Sequence, residues 1–168
     1  RLPLFAKKEY HEIPSIVVNH MTDLDDIHEM LYDIECWLAD RTTTICIDTE
    51  TYSADDLWKP WPGTGQGHCR LFQIGTADRV WGVEAQKWHG VVDEICRMVW
   101  RSEHPIVYAN CKYDLHVMRK EGWPYSPAQA EDVLILHRLT NPELAFHNLK
   151  YIAETHLGGW AAEGKKKL

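Results

Sequence analysis

No stretch of this 168-residue chain approaches the roughly 20 consecutive apolar residues of a membrane-spanning helix, and no signal-peptide pattern opens it. An excess of positive charge is also missing. Eighteen Lys and Arg against 25 Asp and Glu leave a net charge of −7, which speaks against a phosphate binder of the ordinary basic kind. There is no Cys-x-x-Cys. The five cysteines (Cys36, Cys46, Cys69, Cys96 and Cys111) are odd in number, with Cys46 in a strand-like run and Cys96 in a helical pattern. A disulfide framework or zinc cluster is therefore not expected, and a reducing, intracellular, cytoplasmic setting is. His68 adjoins Cys69, but further ligands at zinc spacing are lacking. Internal repeats are absent too: the eight tryptophans are scattered, which assigns them to packing.

What is present is ordinary globular material, 45% apolar and 26% charged. The length suits one domain with one core. The expectation is a single domain over residues 1–168, cut from a longer chain, since Arg1 is no initiator methionine and the tail from Glu163 stops without a closing element. Residues 1–12 read as irregular and 159–168 as a truncated or flexible tail.

Ile13–Asn19 reads as a short strand, with Pro14 near its start. Thr22 is the expected N-cap of a helix reaching about residue 39, with Leu24, Ile27, Leu31, Ile34 and Leu38 on its apolar face. A strand at 43–49 follows. Residues 53–68, with Pro60, Pro62, Gly63, Gly65 and Gly67, read as a long exposed loop. Arg70–Thr76 and Arg79–Glu84 form a hairpin around Thr76-Ala77-Asp78. Val91 to Val99 mark a helix, and Pro105–Ala109 a buried strand ending at Asn110. Leu115, Val117 and Met118 continue a helix to about Glu121, stopped by Gly122 and Pro124. Asp132 is the expected cap of a helix through Leu139, ended by Asn141-Pro142. Phe146–His156 gives a last helix, ended by Gly158-Gly159. The alternation predicts an α/β domain with a mixed sheet flanked by helices.

Two acids stand at the end of the strand Thr44-Ile45-Cys46-Ile47-Asp48-Thr49-Glu50-Thr51. Side chains alternate along a strand, so Asp48 and Glu50 share a face, roughly 7 Å apart, and Thr49 points the other way. Such carboxylates repel unless a proton or a cation sits between them, and a divalent metal answers that need. A second set, Asn110-Cys111-Lys112-Tyr113-Asp114, stands where the 105–109 strand turns into a helix. Asp114 falls on the first turn, near the positive helix end, where a carboxylate can either face a metal or cap backbone N–H groups.

These two sets, then Asp132-Val133-Leu134 and His147 through Glu154, resemble in order the DEDD 3′–5′ exonucleases. The likeness is to the proofreading domain of DNA polymerase I, with ribonuclease D as a cousin, and it runs over residues 43–158. It implies a ribonuclease-H-like fold, two Mg²⁺ or Mn²⁺ ions, and stepwise hydrolysis at a single-stranded 3′ end. DNA is the implied substrate and RNA the alternative. The implied partner is a polymerase domain in the same longer chain, with a viral source compatible. By the same resemblance Asp48, Glu50 and Asp114 are metal ligands and catalytic, while Thr49, Asn110 and Tyr113 line the terminal nucleotide. The third motif, a Tyr or His followed by Asp four or five residues on, is not seen: Tyr151 is followed by Thr155. Tyr52–Asp56 and His28–Asp33 carry the spacing but precede the second motif and are read as decoys. Without a fourth acid the 168 residues alone are expected to act weakly or not at all. The competing expectation is a non-catalytic relative, structural or nucleic-acid-binding. An acidic balance does not oppose a nuclease, whose metal ligands are themselves acidic.

Overall fold

The computed structural model describes residues 17–52 and 68–157, in two compact units that meet in sequence between Asp132 and Val133. The first unit holds a six-stranded sheet of β1 (Val17–His20), β2 (Ile45–Thr51), β3 (Cys69–Gly75), β4 (Arg79–Glu84), β5 (Ile106–Tyr108) and β6 (Ala130–Asp132). Their order across the sheet is β1-β4-β3-β2-β5-β6. β2, β3 and β4 run antiparallel in turn, while β1 joins β4 and β5 joins both β2 and β6 in parallel. The mixed sheet expected from the sequence is thus the one observed.

β2 lies inside the sheet, with Ile45, Ile47 and Thr49 buried and Cys46, Asp48 and Glu50 exposed. It occupies 45–51 rather than 43–49, because Asp40 holds Thr42 and Thr43 in a turn, accepting the Thr42 N–H at 2.9 Å and the Thr43 hydroxyl at 3.0 Å. Glu50 is therefore still within the strand. Gly75 closes the β3–β4 turn: a Cβ there would stand 2.6 Å from the Arg79 carbonyl oxygen, so only glycine fits.

Helix α1 (Leu24–Ala39) is capped by Asp23 and not by Thr22. The Asp23 carboxylate accepts from the N–H groups of Asp25 and Asp26, while Asp26 reaches back to the Thr22 N–H and hydroxyl, each at 2.7 Å. A carboxylate one residue later reaches the free N–H groups, and the threonine becomes a donor. α1 packs on α2 (His89–Ser102), which buries Val92, Ile95, Cys96 and Val99 along one face. α3 (Cys111–Glu121) follows β5 and ends at Gly122, whose φ of 79° suits glycine. Its last residue, Glu121, accepts the Cys69 N–H at 2.6 Å. Phe72 meets Trp123 edge-on at 5.9 Å in the core.

The second unit contains α4 (Val133–Thr140) and α5 (Leu149–Leu157). α5 starts three residues later than Phe146 because the Asn148 side chain accepts the Tyr151 N–H at 2.9 Å, as a cap does. His137 and His147 face each other with their Nδ1 atoms 2.9 Å apart. The expected strand residues 13–16, the loop 53–67 with Trp58 and Trp61, and the Gly158-Gly159 stop lie outside the described residues.

Candidate active site

The ladder between β2 and β5 pairs Ile45 with Ile106 and Cys46 with Val107. Past that point β5 turns at Asn110 and α3 begins, and a side chain takes over the backbone of β2. Asp114 Oδ1 accepts the Thr49 N–H at 2.9 Å and the Thr49 hydroxyl at 2.8 Å. One residue earlier, Tyr113 shares a 2.7 Å hydrogen bond between its hydroxyl and that of Thr51. The first turn of α3 is thereby stitched to the acidic end of β2.

The acids take different positions around this seam. Asp48 and Glu50 face outward from β2, and Gln73 on β3 donates its amide to Asp48 at 3.2 Å. Asp114 is 2% exposed. Burial pushes its carboxyl up to about 7, against the pull of the Thr49 hydroxyl and with a further push from the Asp48 charge. The Asp48 carboxyl also lies above its ordinary value, through loss of solvent first and the Glu50 charge second. The Asp48 charge thus acts on Asp114, and the Glu50 charge on Asp48.

The remaining candidate residues are Thr49, Asn110 and Tyr113. Thr49 is buried and committed to Asp114, and Tyr113 is half-buried and committed to Thr51. Asn110 holds a left-handed backbone, φ 72° and ψ 57°, and its side chain makes no cap bond to α3. Asp33, one of the residues carrying misleading spacing, is occupied elsewhere. It accepts from Arg79 and from the Trp81 indole, each at 2.8 Å, which makes it a structural acid.

The donor chemistry fits a hard divalent cation: carboxylate oxygens whose mutual repulsion a cation would relieve. Among the described residues no three Asp, Glu, His or Cys side chains are grouped so that they could hold a metal ion, so Asp48, Glu50 and Asp114 are not brought together as one ligand set. One Asp114 oxygen is already engaged by Thr49.

Sequence reasoning missed Gln73, and for Asp132 it expected a cap on the 133–139 helix but not the contact with α3. Gln73 becomes visible only when the β2–β3 register places it opposite Asp48. Asp132 accepts the Cys111 N–H at 2.7 Å and the Asn110 N–H at 3.4 Å, a contact between residues some twenty positions apart.

An acid pair on an interior strand, and a third acid heading the adjoining helix of a mixed six-stranded sheet, define a DEDD-type nuclease domain with a ribonuclease-H-like fold. The chain belongs to the 3′–5′ exonuclease family, whose model matches residues 16–168. None of the curated protein sequences matches it. Among solved structures it is similar to the EXO domain of Aedes aegypti Nibbler, with TM-score 0.60 and 18% identity over 84% of this chain and 69% of that one. The catalytic core of RRP6 from Trypanosoma brucei superposes with TM-score 0.64 and 15% identity, over 86% of this chain and 36% of that one. Escherichia coli RNase D, an exoribonuclease involved in structured RNA processing, gives TM-score 0.62 and 13% identity, over 91% and 36%. The chain therefore spans about a third of the last two. At such identities the likeness concerns the fold.

Proposed function

We propose that this chain is a metal-dependent 3′–5′ exonuclease domain that hydrolyses the terminal phosphodiester of a nucleic-acid 3′ end. The observation that carries the reading is the buried Asp114 carboxylate, bonded to Thr49, whose neighbours in sequence Asp48 and Glu50 face outward from β2. Asp48, Glu50 and Asp114 would hold the Mg²⁺ or Mn²⁺ ions, two by likeness to the family. Such ions supply charge stabilisation at the attacking and leaving oxygens of an in-line displacement. The chain's own part is placement. Thr49 fixes the orientation of Asp114, and Gln73 fixes that of Asp48. The Asn110 amide, not used on its own helix, is available to a phosphate or sugar oxygen of the terminal nucleotide.

The leading substrate is a single-stranded DNA 3′ end, handled as the proofreading module of a longer family A polymerase chain. This follows the order and spacing of the motifs. RNA is the second reading, favoured by the likeness in fold to RNase D. A non-catalytic role is a third, favoured by Thr155 standing where a fourth acid would follow Tyr151.

The test is digestion of 5′-labelled single-stranded DNA and RNA by the full-length protein in Mg²⁺ or Mn²⁺, with EDTA and Asp48→Ala as controls. The expected result is a ladder shortening one nucleotide at a time from the 3′ end, faster on DNA. A faster ladder on RNA moves the domain to RNA processing. Intact substrates beside a folded protein would establish the non-catalytic role.

A further inference from the structure

We infer that Asp132 is a positioning residue: from the end of β6 it caps α3 in place of Asn110 and so sets the rotation that brings Asp114 onto Thr49. The inference takes the active-site reading of Asp114 as its starting point, but its structural part stands on contacts alone.

A helix start leaves backbone N–H groups without partners, and the usual remedy is the side chain of the residue just before it. Such a residue holds an extended backbone, from which its side chain folds over the first turn. Asn110 is a good capping residue by type, yet its φ of 72° puts it in the left-handed region, and its side chain makes no cap bond. The duty passes to Asp132. Tyr108 of β5 pairs with Asp132 in the sheet, so the carboxylate stands beside the point where the chain leaves β5. Its oxygens accept the Cys111 N–H at 2.7 Å and the Asn110 N–H at 3.4 Å. The Cys111 thiol lies above its ordinary value, through burial first and then through its hydrogen bond to the same carboxylate. Asp132 is itself only 8% exposed, so these bonds form where solvent competes little, and its negative charge lies at the positive end of the helix.

The consequence for the site is geometric. Asp114 follows Cys111 by three residues and lies on the same side of the helix. A slip of one residue would rotate α3 by about 100° and carry Asp114 away from Thr49. Glu121 restrains the far end through Cys69, so α3 is held at both ends by buried carboxylates. Capping from another strand also leaves the Asn110 amide unspent at the seam, where a local cap would have consumed it.

The experiment is amide NMR with hydrogen exchange in EDTA on the wild type, Asp132→Ala and Asp132→Asn, followed by single-turnover digestion. In Asp132→Ala the amides of Asn110 and Cys111 should exchange at least tenfold faster, and the Thr49 resonance should move, while the Ile47 and Ile74 amides of the β2–β3 ladder hold. Asp132→Asn keeps one acceptor and should fall between, which preserves the test if the alanine variant does not fold. A Thr49 resonance that stays in place while Cys111 loses protection would overturn the inference, reducing Asp132 to a cap with no hold on the site. Uniform loss of protection across the ladder would overturn it as well. If the nuclease reading is correct, Asp132→Asn lowers kcat more than it raises KM. If that reading alone fails, digestion is absent in every variant and the Thr49 response persists.

Discussion

Thr49 gives both its N–H and its hydroxyl to one oxygen of Asp114, at 2.9 Å and 2.8 Å, at the place where β2 has run past its β5 partner. A carboxylate here does the work of a neighbouring strand. It also brings a titratable group into the wall of the candidate site, and the predictions start from it.

Stability in EDTA should fall as pH rises from about 4 to about 7. The Asp114 carboxyl is raised from 3.8 to about 7 in the folded protein, so the fold binds this proton more tightly than the unfolded chain does. Its contribution is therefore complete below pH 4 and lost as pH passes 7. The loss is on the order of 2–4 kcal/mol. Urea unfolding at pH 4, 5.5 and 8 measures it, and Asp114→Asn should flatten the curve. A wild-type curve already flat over this range would contradict the assignment.

Removing the hydroxyl alone gives a finer test. Thr49→Val keeps the N–H bond and the shape but deletes one donor to Asp114. The expected cost is about 1–2 kcal/mol at pH 8, where the carboxylate is charged, and less at pH 5. NMR titration should show the Asp114 carboxyl moving further upward. Equal costs at both pH values would place the Thr49 effect in packing.

Asp48→Ala in the full-length protein should lower single-turnover nuclease rates by several orders of magnitude, since groups acting as a unit fail together. Folding should be kept. Thermal unfolding in EDTA should show the variant equal to or slightly above wild type, because one of several crowded carboxylates has gone. Near-normal digestion by the folded variant would refute the proposed mechanism.

Gly75→Ala tests the sheet beneath the site. The added methyl would meet the Arg79 carbonyl oxygen at 2.6 Å and the Val80 side chain at 2.8 Å, so the hairpin must shift. A loss of about 2 kcal/mol or more is expected in chemical unfolding. An unchanged midpoint would mean that the turn is looser than described.

Much of the sheet was legible because strand alternation leaves a local mark. Ile45, Ile47 and Thr49 against Cys46, Asp48 and Glu50 mark the two faces of β2 in the sequence itself. The paired runs around Thr76-Ala77-Asp78 give the hairpin in the same way. β6 left no such mark: three residues, Ala130, Glu131 and Asp132, are too few to show a period. The Asp132 contact to α3 was hidden for the same reason, since it exists only once β6 lies beside β5. Asp114 was legible as an acid on a first turn, but not the direction of its carboxylate, because the competing acceptor duty belongs to a strand 65 positions away. The shift from Thr22 to Asp23 turned on one residue of reach, which composition does not resolve.

The interior position of β2 bears on how the acids can respond to crowding. β3 holds the strand along its length and β5 holds its start, so Asp48 and Glu50 stand on backbone that cannot swing aside. A surface loop would relax its like charges by spreading. Here the spacing is fixed, and relief can come only through a change in occupancy: a proton taken up or a cation admitted. This end of β2 should therefore behave as an ion exchanger, giving up protons as divalent cations enter, with the exchange greatest below neutral pH.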